Sequence, residues 1–282
     1  MRKTQGFPQL QFVELPHRGV EVRVMAKSHL EIFEISKGDI HISVDAEDTF
    51  GTNGDLAVSG GDQIVEPTKK IVEVFDENIA VQEVHPYGHI SLASSLRSSL
   101  RGRSWPADWL SLEQVIRREM ITAPHALFNM DDLREYILRM PDQRMRLWPD
   151  HSLMGGPKTK LLDGLTADMF RMIFHKGMNP KVDSYSAFRD ALRQSTGLTA
   201  LLDTMQIRRI FFTGLAYDFC VGYSAIDAVI DGFEAYIIKS ATRAVDIPAN
   251  GSYPGSIAVI EAEFKRFGVK VIEDLSQLRR AA

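Results

Sequence analysis

From residue 39 onward, short apolar runs alternate with segments of helical periodicity. Parallel strands need long crossover connections, usually helices, so this alternation is typical of a doubly wound α/β sheet. We predict six strands, at residues 40–44, 79–84, 172–175, 210–213, 235–238 and 269–272. The predicted fold class is therefore α/β, with three layers around a mainly parallel six-stranded sheet.

The connecting helices have recognisable ends. Asp62 is predicted to cap a helix over residues 65–75, and Gly232 follows an amphipathic run over residues 221–230 at the position where helices often stop. Two further helices are predicted at residues 186–193 and 254–267. Ligands of such sheets bind beyond the carboxyl ends of the strands, so candidate site residues should follow different strands.

Two segments fall outside this repeat. Residues 1–38 alternate apolar and polar around a Pro-His-Arg-Gly turn, which predicts an N-terminal β extension. Residues 97–147 read as a mostly helical insertion, with a capping box at Ser111 and Gln114, a second cap at Asn129 and a helix stop at Pro141. The expected organisation is a core domain over 39–275 and a tail over 276–282.

Composition and charge limit the classes of binding partner that we expect. Thirty-three basic and 37 acidic residues give a net charge of -4, without the basic excess of a nucleic-acid binder. No apolar run reaches the ~18 residues needed to span a bilayer, and the polar start lacks a secretory signal. The single cysteine, Cys220, fits a reducing compartment. We expect a soluble cytoplasmic protein with no nucleic-acid or membrane partner.

Cys220 lies where an apolar strand runs through a glycine-containing turn into an amphipathic helix. A helix N-terminus carries positive partial charge and free N–H groups, which are expected to lower a thiol pKa and to hold an oxyanion. The alternative is a small buried residue that serves packing alone.

Asp45 ends the first predicted core strand and Lys176 ends the third. Taken singly, the aspartate reads as a turn former and the lysine as a solvated side chain. As a set, however, a carboxylate, a cation and a thiol at the ends of separate strands could converge. Asp45 would then take the thiol proton, Lys176 would stabilise developing charge, and backbone N–H groups of Ala216 and Cys220 would hold the oxyanion.

Glu83 and His85 stand two residues apart, so on an extended chain both side chains face the same side. With His151 from a distant loop they form a carboxylate and two histidines, which is ordinary metal-ligand chemistry. His89 is a further candidate ligand. The alternative for each histidine is an ordinary core or surface residue whose hydrogen bonds are made within the protein or to water.

Five segments together carry a family resemblance: VDAEDTFGTNGDLAV, LWPDHSLMGG, HKGMNPKVDSYSAF, GLAYDFCVGYSAIDAV and SATRAVD. In order and content they resemble the signatures of the nicotinamidase/pyrazinamidase family of the isochorismatase-like hydrolases. The resemblance implies the catalytic residues Asp45, Lys176 and Cys220, and a cis peptide between Leu215 and Ala216. It covers residues 39–275.

The resemblance also implies a divalent metal ion held by Glu83, His85 and His151, with zinc expected and iron or manganese as alternatives. No organic cofactor is implied. The ion contacts the ring nitrogen of the substrate in the family, and aromatic side chains, here Phe50, Trp148 and Tyr185, enclose the ring. The chain departs from the family pattern at four positions: Glu83 in place of aspartate, Glu47 and Asp48 in place of a glutamine–asparagine pair, and Ser152 in place of a cysteine.

The expected activity is hydrolysis of nicotinamide to nicotinate and ammonia through a cysteine thioester, a step of NAD salvage, with pyrazinamide as a side substrate. One alternative is a related cysteine amidohydrolase acting on another small amide or carbamoyl compound. Another is a non-catalytic binding protein of the same fold. The expected partner is a small amide substrate, and assembly into a homo-oligomer, with the insertion at a subunit interface, is left open.

Overall fold

The computed structural model describes residues 31–99, 102–104, 109–117, 119–140, 143–251 and 253–281. Within these residues the strands are β1 (Phe33–Ile35), β2 (Asp39–Val44), β3 (Asn78–Glu83), β4 (Leu96–Ser98), β5 (Trp109–Ser111), β6 (Met120–Thr122), β7 (Arg144–Arg146), β8 (Met172–Lys176), β9 (Arg209–Leu215), β10 (Glu234–Arg243), β11 (Lys270–Ile272) and β12 (Leu278–Arg280). The α-helices are α1 (Val65–Val74), α2 (Leu112–Ile116), α3 (Met130–Arg139), α4 (Leu198–Thr204), α5 (Cys220–Ile230) and α6 (Ser256–Phe267).

One parallel sheet contains all six predicted core strands, in the order β11-β10-β9-β2-β3-β8. The strands β2 and β3 are buried along their whole length, as expected of a sheet covered on both faces. The prediction of a parallel α/β sheet is confirmed. None of the described helices is long and apolar enough to cross a bilayer.

Helices cover both faces of the sheet and give three layers. On one face, Val221 and Ala225 of α5 and Phe264 of α6 pack into the main apolar cluster. On the other face, Ile71 of α1 packs in a cluster that includes Phe211 of β9. Burying these side chains drives the assembly of the layers, at roughly 1.5–3 kcal/mol for each large one.

Two local predictions are wrong. Residues 186–193 form turns rather than a helix, because polar side chains bond to the local backbone instead: Ser186 accepts from Phe188 N–H, and Asp190 accepts from Leu192 N–H. Asp62 does not cap α1, which follows a 3-10 turn; its carboxylate accepts from Thr52 N–H at 2.9 Å.

The insertion contains the two helices that its capping residues predict, α2 after Ser111 and α3 after Asn129. Pro141 lies outside the described residues. The insertion is less helical than expected, because β4 pairs with β6 and β5 with β7 in two small antiparallel sheets. Of the predicted N-terminal extension, residues 1–30 lie outside the described residues, and β1 pairs with β12 in parallel.

Candidate active site

Four neighbouring strands bring the candidate residues to one edge of the sheet. Asp45 follows β2, Glu83 and Lys176 are the last residues of β3 and β8, and Cys220 begins α5 after β9. These strands are adjacent in the order β9-β2-β3-β8, so their carboxyl ends lie side by side. The chain therefore brings together residues that are up to 175 positions apart in sequence, from Asp45 to Cys220.

A glycine permits the close approach of the two central strands. Gly214 in β9 has φ of 109°, and a Cβ atom on it would lie 1.9 Å from the carbonyl oxygen of Val44. Val44 directly precedes Asp45, and Gly214 comes six residues before Cys220. Only glycine tolerates both this backbone angle and this separation. The spacing between the aspartate and the cysteine thus depends on a residue without a side chain.

Lys176 lies at the centre of the cluster. Its Nζ is 2.9 Å from Asp45 Oδ2, 2.9 Å from Glu83 Oε1, 3.0 Å from the carbonyl oxygen of Ser184 and 3.5 Å from Cys220 Sγ. Burial by itself would lower the pKa of this lysine, but the negative charges around it raise the pKa well above its usual range. The lysine therefore stays protonated, contrary to the solvated side chain that its position alone would suggest.

Asp45 has the properties of a base that operates near neutral pH. Burial raises the pKa of its carboxyl to about 6, against the opposing attraction of Lys176. The residue has φ of 49°, a left-handed conformation that is uncommon outside glycine. The carboxyl is ionised at pH 7 and remains able to accept a proton just below that pH.

The thiol of Cys220 differs from the sequence-based expectation. Only 7% of the residue is exposed, and burial raises the pKa of the thiol well above its usual range. Lys176 lowers it, but Asp45 and Glu83 raise it further. The expected net lowering of the thiol pKa is wrong, because desolvation and two carboxylates raise it. The thiol therefore needs a base, and its Sγ lies within 4.8 Å of a carboxylate oxygen of Asp45.

The turn before Cys220 contains the cis peptide expected between Leu215 and Ala216. Other amides of this turn have partners. Tyr217 N–H donates to the backbone carbonyl of Arg243, and the N–H groups of Phe219 and Val221 donate to the carbonyl of Ala216. The residues expected to hold the oxyanion, Ala216 and Cys220, are both buried beside the pocket described below.

Asp218 supports this turn and was not singled out from the sequence. Its carboxylate accepts from the N–H groups of Val245 and Asp246 at 2.8 and 2.9 Å, and from Ser256 Oγ at 2.6 Å. It thus ties the cysteine turn to the loop after β10 and to the start of α6. Its position two residues before Cys220 was the available signal.

The candidate metal ligands converge next to Lys176. Ligand atoms of Glu83, His85 and His151 all lie within 4.8 Å of one another. His151 Nε2 is 2.9 Å from Glu83 Oε2, and His85 Nε2 is 3.6 Å from Glu83 Oε1. The positive charge of Lys176 keeps the pKa of Glu83 well below its usual range despite burial, so the carboxylate is anionic.

The histidine tautomers suit a cation. His85 Nδ1–H donates to the carbonyl of Gly177 at 2.9 Å, and His151 Nδ1–H donates to the carbonyl of Pro149 at 2.7 Å. Each ring therefore directs its Nε2 lone pair toward Glu83, and His85 Nε2 is buried without a hydrogen-bond partner among the described residues. The two Nε2 lone pairs and the carboxylate of Glu83 therefore face one another in a buried space. This set of ligand atoms suits a divalent cation.

His89 does not join this cluster. Its Nε2–H donates to the carbonyl of Val182 at 3.2 Å and its Nδ1 is 2.8 Å from Ser91 Oγ, so both ring nitrogens have protein partners. The ring stacks on His85 with centroids 4.2 Å apart. The structure therefore places His89 beside His85 with both ring nitrogens occupied, and not as a further ligand.

Three of the four departures from the family pattern lie close to these groups. Glu47 is fully buried, and its Oε1 accepts from Glu83 N–H at 2.7 Å. Burial and the charges of Asp45 and Glu83 raise the pKa of Glu47 well above its usual range, which favours the neutral carboxyl, closer in charge to the glutamine that it replaces. Ser152 is also buried, whereas Asp48 pairs with Lys160 at the surface.

An aromatic pocket opens onto Cys220. All three aromatic residues expected at the substrate site line it, and Trp148 Nε1–H donates to Tyr185 Oη at 3.0 Å. The full lining is Phe50, Leu56, Val58, Glu83, Trp148, His151, Asp183, Tyr185, Ala216, Phe219, Cys220 and Val245. Phe219 and Asp183 were missed, although Phe219 directly precedes Cys220 and Asp183 lies in the VDSYSAF segment. The pocket thus combines aromatic and aliphatic walls with polar side chains, among them Cys220.

Comparison with known proteins identifies the family. The isochorismatase domain model matches residues 128–254. The nicotinamidase of Acinetobacter baylyi is 32% identical over 212 residues, which cover 75% of this chain and 83% of that protein. The chain belongs to the nicotinamidase family of isochorismatase-like hydrolases.

Solved structures agree with this assignment. The nicotinamidase/pyrazinamidase of Acinetobacter baumanii has a TM-score of 0.66 at 26% identity, covering 84% of this chain and 97% of that one. PnC1 of L. infantum in complex with nicotinate has a TM-score of 0.64, also at 26% identity, covering 89% of this chain and 100% of that one. The nicotinamidase fold therefore extends across most of the chain.

Proposed function

We propose that this nicotinamidase-family protein is an amidohydrolase that converts nicotinamide to nicotinate and ammonia. The observation that carries the proposal is the contact of Lys176 with Asp45 and with Cys220, which lines an aromatic pocket. The family membership supports it, since the relatives compared above include nicotinamidases and a complex with nicotinate.

In the first half-reaction, Asp45 accepts the thiol proton of Cys220 while Sγ bonds to the carboxamide carbon. The N–H groups of Ala216 and Cys220 stabilise the oxyanion, and Lys176 balances the negative charge around the thiolate. The tetrahedral intermediate collapses as its carbon–nitrogen bond breaks and Asp45 returns the proton to nitrogen. Ammonia leaves, and a thioester remains.

In the second half-reaction, Asp45 removes a proton from water as the water oxygen bonds to the thioester carbon. The carbon–sulfur bond then breaks, and the proton held by Asp45 returns to Cys220. The nicotinic acid formed loses its carboxyl proton to water and becomes nicotinate. Atoms balance with one water consumed and one ammonia released. The raised pKa of Asp45, about 6, suits both directions of transfer.

Ring recognition is assigned to the pocket walls and to a metal ion. Phe50, Trp148 and Tyr185 would enclose the pyridine ring, and Glu83, His85 and His151 would hold one divalent ion, with zinc proposed. The bound ion supplies a Lewis acid for the ring nitrogen. The buried carboxylate and the free histidine lone pair support this assignment.

Several broader assignments follow from the reaction. The product feeds pyridine nucleotide salvage, and pyrazinamide, whose ring has similar shape, is a side substrate. A cytoplasmic location suits a reactive thiol that must stay reduced. We also propose the organisation stated above, with an N-terminal extension over 1–38, a hydrolase domain over 39–275 that contains the insertion 97–147, and a tail over 276–282.

The decisive experiment measures ammonia release from nicotinamide by the wild-type protein and by Cys220→Ala, with bound metal determined on the same samples. Release by the wild type alone supports the mechanism. Activity that survives in Cys220→Ala refutes the cysteine mechanism. Benzamide lacks the ring nitrogen and is the matched comparison: it should be a much poorer substrate.

The same experiment tests the substrate assignment and the cysteine mechanism separately. If nicotinamide is inert but another small amide or carbamoyl compound releases ammonia, the substrate assignment is wrong and the cysteine mechanism stands. If nicotinate binds and no amide is hydrolysed, the protein is a binding protein of this fold.

A further inference from the structure

The two oxygens of Glu83 have different nearest partners. Oε1 is 2.9 Å from Lys176 Nζ, and Oε2 is 2.9 Å from His151 Nε2. The contact with Lys176 follows from the sheet, because Glu83 and Lys176 are paired residues of β3 and β8. One carboxylate therefore joins the lysine of the catalytic group to the histidines of the candidate metal site.

All of these groups are removed from solvent, so their charges interact strongly. Lys176 and Glu83 are 2% and 3% exposed. The protein interior screens charges much less than water does, so a unit charge a few ångströms away interacts strongly with these groups. A divalent ion between the histidines and Glu83 would compete with the ammonium group of Lys176 for the same carboxylate, and the two cations would also repel each other.

We propose that Glu83 is shared between Lys176 and the bound metal ion, so that its ion pair with Lys176 weakens metal binding. The inference rests on the metal site proposed above. Because linkage is reciprocal, bound metal must equally weaken the hold of Lys176 on Glu83 and leave the lysine freer to serve Asp45 and Cys220. An aspartate at position 83 would be one methylene shorter, and we expect it to lose contact with one of the two partners.

The test measures zinc affinity in solution by competition with a chromophoric chelator. Lys176→Met should bind zinc at least about fivefold more tightly than the wild type, the lower end of typical coupling between sites. Lys69→Met is the matched control, since it removes the same charge from an exposed lysine of α1, and it should leave the affinity unchanged. Lys176→Gln, which can still donate hydrogen bonds to the carboxylates, is the second variant if Lys176→Met does not fold.

The same measurement in a Glu83→Asp background separates sharing from simple repulsion. Sharing predicts that Lys176→Met then changes zinc affinity by much less than it does with Glu83 present. An equal effect in both backgrounds, or zinc affinity that is unchanged or weaker in Lys176→Met, overturns the inference and leaves the metal site intact. A wild-type protein that binds no zinc overturns both, whereas nicotinamide hydrolysis is scored separately.

Discussion

At the scale of single residues, burial sets the chemistry of the site more than residue type does. Asp45, Lys176 and Cys220 are nearly or fully excluded from water, and their pKa values reflect that exclusion together with their mutual charges. The thiol and the lysine both hold their protons, while Asp45 is poised near neutrality. Asp45 is therefore the group whose titration should govern activity.

The pH profile of kcat/KM for nicotinamide should report Asp45. Its pKa is raised to about 6, and the base must be ionised in the free enzyme, so activity should fall about tenfold per pH unit below pH 6. Asp45→Asn should lower kcat by roughly 10²–10⁴-fold, the usual contribution of general acid–base catalysis. A flat profile between pH 5 and 8, or an active Asp45→Asn variant, would contradict the role assigned to this carboxyl.

Asp218 makes a second prediction at this scale. Its buried carboxylate accepts three hydrogen bonds, and Asp218→Asn would replace one acceptor oxygen with a donor. We expect a loss of about 2–4 kcal/mol in the free energy of unfolding, measured by urea denaturation. The control is Asp246→Asn at an exposed left-handed position that asparagine tolerates, and it should stay within about 0.5 kcal/mol. Equal losses in both variants would refute the buried role.

At the scale of elements, the site depends on how closely neighbouring strands approach. The central pair β2 and β9 sets the distance between Asp45 and Cys220, and β3 and β8 pair Glu83 with Lys176. The sheet order thus decides which strand ends meet. Gly214 shows most clearly how close the strands are, because β9 has no room there for a side chain.

Gly214→Ala should therefore be severely destabilising. The added Cβ would overlap the carbonyl of Val44, and the backbone angle is itself unfavourable for alanine, so we expect a cost of about 4 kcal/mol or more. Gly232→Ala separates the two causes: Gly232 has φ of 98° but no heavy atom within 4 Å of the added carbon. It should cost only about 1–3 kcal/mol. If Gly214→Ala and Gly232→Ala lose similar stability in thermal or urea unfolding, overlap with the Val44 carbonyl does not contribute to the cost.

At the scale of the whole molecule, the metal site connects segments that are distant in the chain. Glu83 and His85 lie near β3, whereas His151 follows the insertion that begins after residue 96. A ligand that binds only the folded protein stabilises it by mass action. Metal occupancy should therefore contribute to the stability of the entire fold and not only to substrate binding.

Metal removal tests this expectation. Protein treated with a chelator should unfold at a lower temperature than zinc-loaded protein, and zinc at 100 times its Kd should contribute about 2.7 kcal/mol. His151→Ala should lose most of this zinc-dependent shift, while His89→Ala should retain it, because His89 bonds to Ser91 and Val182. A zinc shift that persists in His151→Ala would place the metal elsewhere.

The sequence by itself determined the α/β class, the six core strands, the strand-end positions of Asp45 and Lys176, and Cys220 as the first residue of α5. These features depend on local periodicity and on ordered motifs. Tertiary structure alone decided the exclusion of His89 from the metal cluster, the raised pKa of Cys220 and the contact between Glu83 and Lys176. Each of these depends on which distant groups share a buried space, and so on strand order and desolvation, which no local pattern encodes.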